Sequence, residues 1–177
     1  MSLKSSVDHP VRIRIEKPES NDQAAIRAVT TAAFGTPEEA DLVDRLRGSG
    51  DVLISLVAEL EGRIAGHIMF SRMWIHAQQG TVSAVALAPM AVLPEHQRRG
   101  IGGRLIQRGL ELLEGQGETI VLVVGHPAYY PKFGFSAEAA RRLESPFPPE
   151  AFMAIALSPG ALDGVRGPVV YPPAFGI

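Results

Sequence analysis

Residues 90–104, MAVLPEHQRRGIGGR, constrain what this chain can fold into more than any other stretch. An apolar run ends at Pro94, a basic turn with glycines follows, and an amphipathic segment starts near Ile101. A strand, a glycine turn and a helix N-terminus, in that order, make a geometry that binds phosphate. The first amides of a helix have no internal partner, and the macrodipole places roughly half a positive charge there. Gly100 and Gly102 carry no Cβ, so an anion can come close to the backbone. The charges run against helix preference: Arg98, Arg99 and Arg104 crowd the start, while Glu111 and Glu114 sit near the end. Each misplacement costs about a few tenths to 1 kcal/mol, and a bound anion reverses the sign of the arginine contribution. From the turn alone, solvated arginines on a glycine-rich turn account for the pattern equally well.

Two phosphate loops are excluded by reading along. A Walker A loop closes on Gly-Lys-Ser/Thr, whereas Gly103 is followed by Arg104-Leu105. A dinucleotide fingerprint needs a third glycine where Leu105 stands. What remains is Gln97-x-x-Gly100-x-Gly102 after Val92-x-Pro94. This resembles the acetyl-CoA pyrophosphate loop of the GNAT superfamily of N-acetyltransferases, written Q/R-x-x-G-x-G/A. The resemblance implies that Gln97, Arg98, Arg99, Gly100, Ile101, Gly102, Gly103 and Arg104 hold the cofactor's pyrophosphate.

The rest of the chain supplies a matching order of elements. Residues 11–16 alternate Val11, Ile13, Ile15 with Arg12, Arg14, Glu16, the mark of a half-buried strand. Ser20-x-x-Gln23 reads as a capping box opening a helix that stops at Gly35. Thr36-Pro37-Glu38-Glu39 opens a second helix, ending at Gly48 or Gly50. Strands over 52–60, 64–75 and from Val82, joined by turns at Glu61-Gly62 and Gln78-Gln79-Gly80, predict an antiparallel meander. Pro89 cannot donate to a ladder, which predicts an interruption with a bulge or splay in the fourth strand. A helix from Ile101 to Gly115–Gly117 and the β-branched run 119–124 then complete a parallel crossover unit. A helical turn over 128–133 and strands over 152–157 and 169–171 follow, between proline-marked loops.

A second segment carries the same resemblance. In Tyr129-Tyr130-Pro131-Lys132-Phe133-Gly134-Phe135, Tyr130 stands five residues before the phenylalanine of a Gly-Phe pair. In the GNAT family that tyrosine lies near the cofactor's sulfur. The resemblance covers about residues 11–157, and the wording around Gly125–Phe135 looks most like a bacterial branch called YhbS-like. An asparagine common in the family before the tyrosine has no counterpart, since the region is shortened to Gly125-His126-Pro127.

The implied fold is α/β (α+β): a mixed, mostly antiparallel sheet, helices on both faces, and a splay between the fourth and fifth strands. Residues 1–10 read as a disordered lead and 11–177 as one domain. Unpaired backbone at the splay would take the pantetheine arm along Met90, Ala91 and Val92, with a main-chain donor near Val92 acting on the thioester oxygen. A tyrosine hydroxyl, reference pKa about 10, is protonated at neutral pH, so Tyr130 is expected to donate to the departing thiolate. Without the family pattern, Tyr130 reads as an amphipathic core residue. His126, Glu59 and His67 are candidate proton acceptors for the amine, while His96 reads as solvated.

The expected reaction is direct transfer of an acetyl group from acetyl-CoA to a primary amine, of a small molecule or peptide. The alternative is a non-catalytic acyl-CoA sensor or interaction module on the same fold. The chain has no cysteine, which excludes a protein-borne acyl thioester, and its histidines lack close metal-ligand spacing, so no metal is expected. A formal net charge of −2 argues against nucleic acid. The apolar run 82–93 is too short to cross a membrane. The N-terminal wording has no secretory core, so a cytoplasmic location is expected, and a homodimer is left open.

Overall fold

The computed structural model describes residues 10–177, so the expected disordered lead lies outside the described residues except for Pro10. The first alternating stretch forms β1 (Arg12–Ile15), antiparallel to β2 (Val52–Leu60). Between them stand α1 (Asp22–Phe34) and α2 (Glu38–Ser49), closed by Gly35 and Gly50 in the left-handed conformation. β3 (Arg63–Ala77) and β4 (Gly80–Val92) complete the meander. α3 (Ile101–Gly115) then crosses to β5 (Ile120–Val124), which lies parallel to β4. The late chain adds α4 (Ala137–Ala140), β6 (Leu143–Glu144), β7 (Phe152–Ala156) and β8 (Gly167–Val170). Along the sheet the order is β1-β2-β3-β4-β5-β7.

Strand alternation sends successive side chains to opposite faces. On one face Ile68, Phe70, Val85, Val121 and Val123 pack with Ile101, Leu105, Ile106 and Leu113 of α3. On the other, Val57 and Met69 lie with Ile26, Val43 and Leu46 of α1 and α2. Met73, Ile75, Ala86 and Leu122 continue that second face under Ala140 and Leu143. The sheet is mixed, mostly antiparallel and covered by helices on both sides, as the resemblance implied.

The helix starts differ from expectation. Ser20 makes no capping box with Gln23: its hydroxyl donates to the Lys17 carbonyl at 2.7 Å and accepts from the Asp22 amide at 3.1 Å. The start of α1 is held instead by buried Asp22, which accepts from Arg14 Nη1 and Nη2 at 2.7 and 2.9 Å and from the Lys17 amide at 2.7 Å. A forked, charge-assisted contact outweighs a neutral cap. Thr36 likewise reaches the Glu39 carboxylate at 3.3 Å, and Pro37 flanks the first turn without a side-chain cap.

Pro89 does not interrupt β4, which runs on to Val92. The disturbance is a register shift: Phe70 pairs with Leu87 and Ile68 with Met90, so Ala88 and cis Pro89 bulge opposite Met69. Pairing between β4 and β5 stops at Leu87 and Val123. The two parallel strands part where the bulge begins. Three late features were not anticipated: α4, β6, and the pairing of β8 with β3 through Trp74–Val170 and Ile75–Val169.

Candidate active site

Beyond Leu87 no strand among the described residues faces the free side of β4. The Leu93 amide donates to the Ala65 carbonyl at 2.8 Å, which sets the alternation of the β3–β4 pair. Ala91 therefore bonds across to His67, while Met90 and Val92 turn their N–H and C=O groups away from β3 and into the gap. Gln97 Nε2 donates to the Val92 carbonyl at 3.0 Å and ties the turn to the end of the strand. The Val92 amide and both backbone groups of Met90 stay directed at the gap.

The gap opens into a cavity of about 530 Å³. Eight of the expected residues line it: Met90, Ala91, Val92, Gln97, Arg98, Gly100, Ile101 and Gly102. The turn needs its glycine, since Gly100 flanks α3 with φ 81°, and Arg98 also sits in the left-handed region at φ 64°. A non-glycine residue there costs about 1–2 kcal/mol, a cost carried at the mouth of the cavity. At Gly102 a Cβ would stand 2.8 Å from Tyr129 Oη and 3.3 Å from Met90 Cε. The missing side chain leaves room that the ends of two flexible side chains now share.

The other expected residues lie elsewhere. Arg104 Nη1 donates to the Val11 carbonyl at 2.7 Å, tying α3 to the start of the sheet. Gly103 packs against the Phe133 ring, 3.1 Å from where its Cβ would be, and Arg99 is exposed outside the cavity wall. Tyr130 is 9% exposed and joins the core beside Phe135, its ring centroid 5.8 Å away. Its ring carbons lie 2.3 and 2.9 Å from the Cβ position of Gly125, so the glycine that follows β5 is what admits the ring. Burial, with the neighbouring Tyr129 adding to it, pushes the Tyr130 hydroxyl up to about 12.

Tyr129, not Tyr130, contributes to the cavity wall, where its ring meets Tyr130 edge-on at 5.2 Å. Lys132 lines the same wall with its Nζ 5.6 Å from the Tyr129 ring centroid, and Ala33 and Phe34 reach in from the end of α1. The family resemblance selected Tyr130 for its place five residues before Phe135. The adjacent Tyr-Tyr pair left the choice of facing to the three-dimensional fold.

None of the three candidate proton acceptors lines the cavity. Glu59 accepts from Arg14 Nε at 2.7 Å and borders a separate cavity along β1. His67 is fully buried, its Nε2 2.8 Å from Ser55 Oγ, and burial lowers it to about 3. His126 is exposed beyond β5. His96, expected in solvent, instead lines the cavity with its Nδ1 enclosed and unpartnered among the described residues. Among the described residues no group of three or more His, Asp or Glu side chains could hold a metal ion, and no helix is long and apolar enough to cross a membrane.

Comparison with known proteins agrees with this geometry. Residues 14–137 match the family model described as the acetyltransferase (GNAT) domain. The uncharacterised N-acetyltransferase YjhQ of Escherichia coli K12 is 41% identical over 133 residues, covering 73% of this chain and 74% of that protein. YhbS of the same strain, also uncharacterised, is 34% identical over 162 residues, covering 90% and 95%. The crystal structure of E. coli YhbS in complex with CoA superposes with a TM-score of 0.86 at 32% identity, covering 96% of this chain and 93% of that one. A GNAT family acetyltransferase from Brucella melitensis, solved in complex with acetyl-CoA, gives a TM-score of 0.78 at 37% identity, covering 94% and 99%. With a family match across most of its length and a parted β4–β5 pair above a glycine turn, the chain belongs to the GNAT family of acetyltransferases.

Proposed function

We propose that this chain transfers an acetyl group from acetyl-CoA directly to a primary amine within a ternary complex. The observation that carries this is the gap between β4 and β5, whose unpaired Met90 and Val92 backbone opens onto the glycine turn at the start of α3. An amide-bearing pantetheine arm satisfies those groups as a further strand would. The α3 N-terminus and Arg98 suit a pyrophosphate, with Lys132 as a second cation on the wall. The Val92 amide is the donor we assign to the oxyanion of the tetrahedral intermediate.

The neutral amine nitrogen attacks the thioester carbonyl carbon, the C–S bond breaks, and the sulfur leaves as a thiolate. Tyr130 is the group we assign to protonate it; a hydroxyl held at about 12 remains protonated across the working range. Among the described residues no aspartate or glutamate lines the cavity, and we assign the amine to enter as its free base, its proton passing to solvent. Acetyl transfer should therefore quicken as pH approaches the pKa of the amine.

The test is saturable acetyl-CoA binding in calorimetry, together with CoA release that depends on an added amine. A second reading, a non-catalytic acyl-CoA sensor, is favoured by the buried ring of Tyr130 outside the cavity wall. Tight acetyl-CoA binding without release to any amine would select the sensor.

A further inference from the structure

The sheet face that α3 covers runs on past the end of the helix. Ile68 and Phe70 of β3 pack beneath α3, and strand alternation carries that face on through Arg72, Trp74 and His76. Trp74, the only tryptophan of the chain, is 43% exposed there. Its partner on β8 is Val170, 36% exposed and on the same face, since Val169 packs into the opposite core. Arg72 bonds Glu118 while holding its guanidinium 5.7 Å from the Trp74 ring centroid. A large ring and a branched side chain paired in water gain from contact with an apolar group.

The same face leads into a cavity of about 400 Å³, which His76 and Pro168 line together with Arg142 and Arg166. Elsewhere Arg14, Arg27, Arg47 and Arg108 each hold a carboxylate, whereas the side chains of Arg142 and Arg166 have no partner among the described residues. Glu144, the one carboxylate on the cavity wall, pairs with neither. Unpaired guanidinium groups beside an exposed tryptophan are the side chains that carry most binding energy at protein interfaces. The planar fork of arginine matches a carboxylate. From Ile68, the partner of Met90, to Trp74 the strand rises roughly 20 Å, which sets this surface apart from the cofactor gap. We propose that it docks an acidic protein segment, with an apolar side chain resting on Trp74 and Val170 and carboxylates on Arg142 and Arg166. The apolar pair selects a peptide over a bare anion.

Emission from Trp74 reads this site directly, since no other tryptophan contributes. The probe is the capped peptide Glu-Glu-Leu-Leu-Glu-Glu titrated into the full chain, compared with Lys-Lys-Leu-Leu-Lys-Lys and Glu-Glu-Gly-Gly-Glu-Glu. The first peptide should shift the emission saturably to the blue, with an affinity that falls as salt rises. Replacing both arginines, Arg142→Gln with Arg166→Gln, should weaken it about tenfold. Val170→Asp, on the same face, should weaken it too by charge repulsion. Both arginines are exposed and unpartnered, so the double variant should keep the urea midpoint of the wild type. Emission unmoved by the first peptide, an equal response to either comparison peptide, or indifference to the arginines overturns the proposal. A blue shift that grows with protein concentration alone, with a doubled mass in sedimentation, gives the face to a second copy and overturns it as well.

Discussion

Tyr129 and Tyr130 are neighbours with different work to do. Tyr130 keeps its ring in the core against Gly125, and its hydroxyl stays protonated well past the ordinary tyrosine value. Removing only that hydroxyl in Tyr130→Phe should leave acetyl-CoA affinity nearly unchanged and lower kcat by about 100-fold, the low end for a general acid. The alkaline limb of the wild-type profile should lie above the reference tyrosine pKa of about 10. Equal turnover of Tyr130→Phe and wild type, with chemistry rate-limiting, would remove Tyr130 from the mechanism. Tyr129→Phe should weaken acetyl-CoA, because its hydroxyl stands over Gly102 in the cavity wall. Gly102→Val pushes on that hydroxyl and on the Met90 methyl, both ends of flexible side chains. The fold should therefore survive while acetyl-CoA binding weakens about tenfold or more, about 1.4 kcal/mol. Unchanged affinity of a folded Gly102→Val protein in calorimetry would place the pyrophosphate elsewhere.

Helix α3 does two things along its length: its first turn faces the cavity, and its middle closes the core. Gly109 belongs to the second part, since a Cβ there would stand 2.2 Å from Cε2 of fully buried Phe70. An added methyl must displace an enclosed ring, at about 1–3 kcal/mol. The better helix propensity of alanine, worth about 1 kcal/mol, offsets part of this. Gly109→Ala should thus lower stability in urea by up to about 2 kcal/mol, netting these two effects. Gly48 in α2 meets nothing within 4 Å, so Gly48→Ala should gain up to about 1 kcal/mol by the same measurement. The same sequence change, glycine to alanine inside a helix, takes opposite signs because only one site is packed. If both substitutions stabilise, α3 does not press on Phe70.

The assembled protein should be sensitive to acid. His67 lies neutral beneath α1 and α2, lowered to about 3 by burial with the Arg47 charge adding to it. An unfolded histidine takes a proton below about 6.5, so stability present above that value is lost at roughly 1.4 kcal/mol per pH unit as pH falls toward 3. Asp22, held well below the usual carboxylate range by Arg14, adds stability above about 3.9 that is lost in stronger acid. Urea midpoints should therefore fall between about pH 6.5 and 4.5, and the fall should be shallower in His67→Gln, whose amide can still meet Ser55. An identical slope in the two proteins would mean that the buried ring charges without penalty.

The long strands, the three long helices, the glycine turn and the crossover to β5 were legible in the chain because they follow from neighbouring residues, whereas the short α4 and β6 were not. Alternation of two, a helical repeat, a glycine at a positive φ and a proline without an N–H act within a few positions of one another. The same local chemistry marked a disturbance at Pro89, while the residues from Met90 to Gly102 that line the cavity were named through the family resemblance. What the chain alone could not show involves partners far apart in sequence. Arg14 and Asp22 replace the expected cap, Arg104 is drawn to the Val11 carbonyl, and β8 finds β3. The close fit of Gly125 turns the Tyr130 ring inward and leaves Tyr129 at the wall. Short-range backbone preferences select elements, whereas burial and charge pairing between distant residues select which side chain faces the gap.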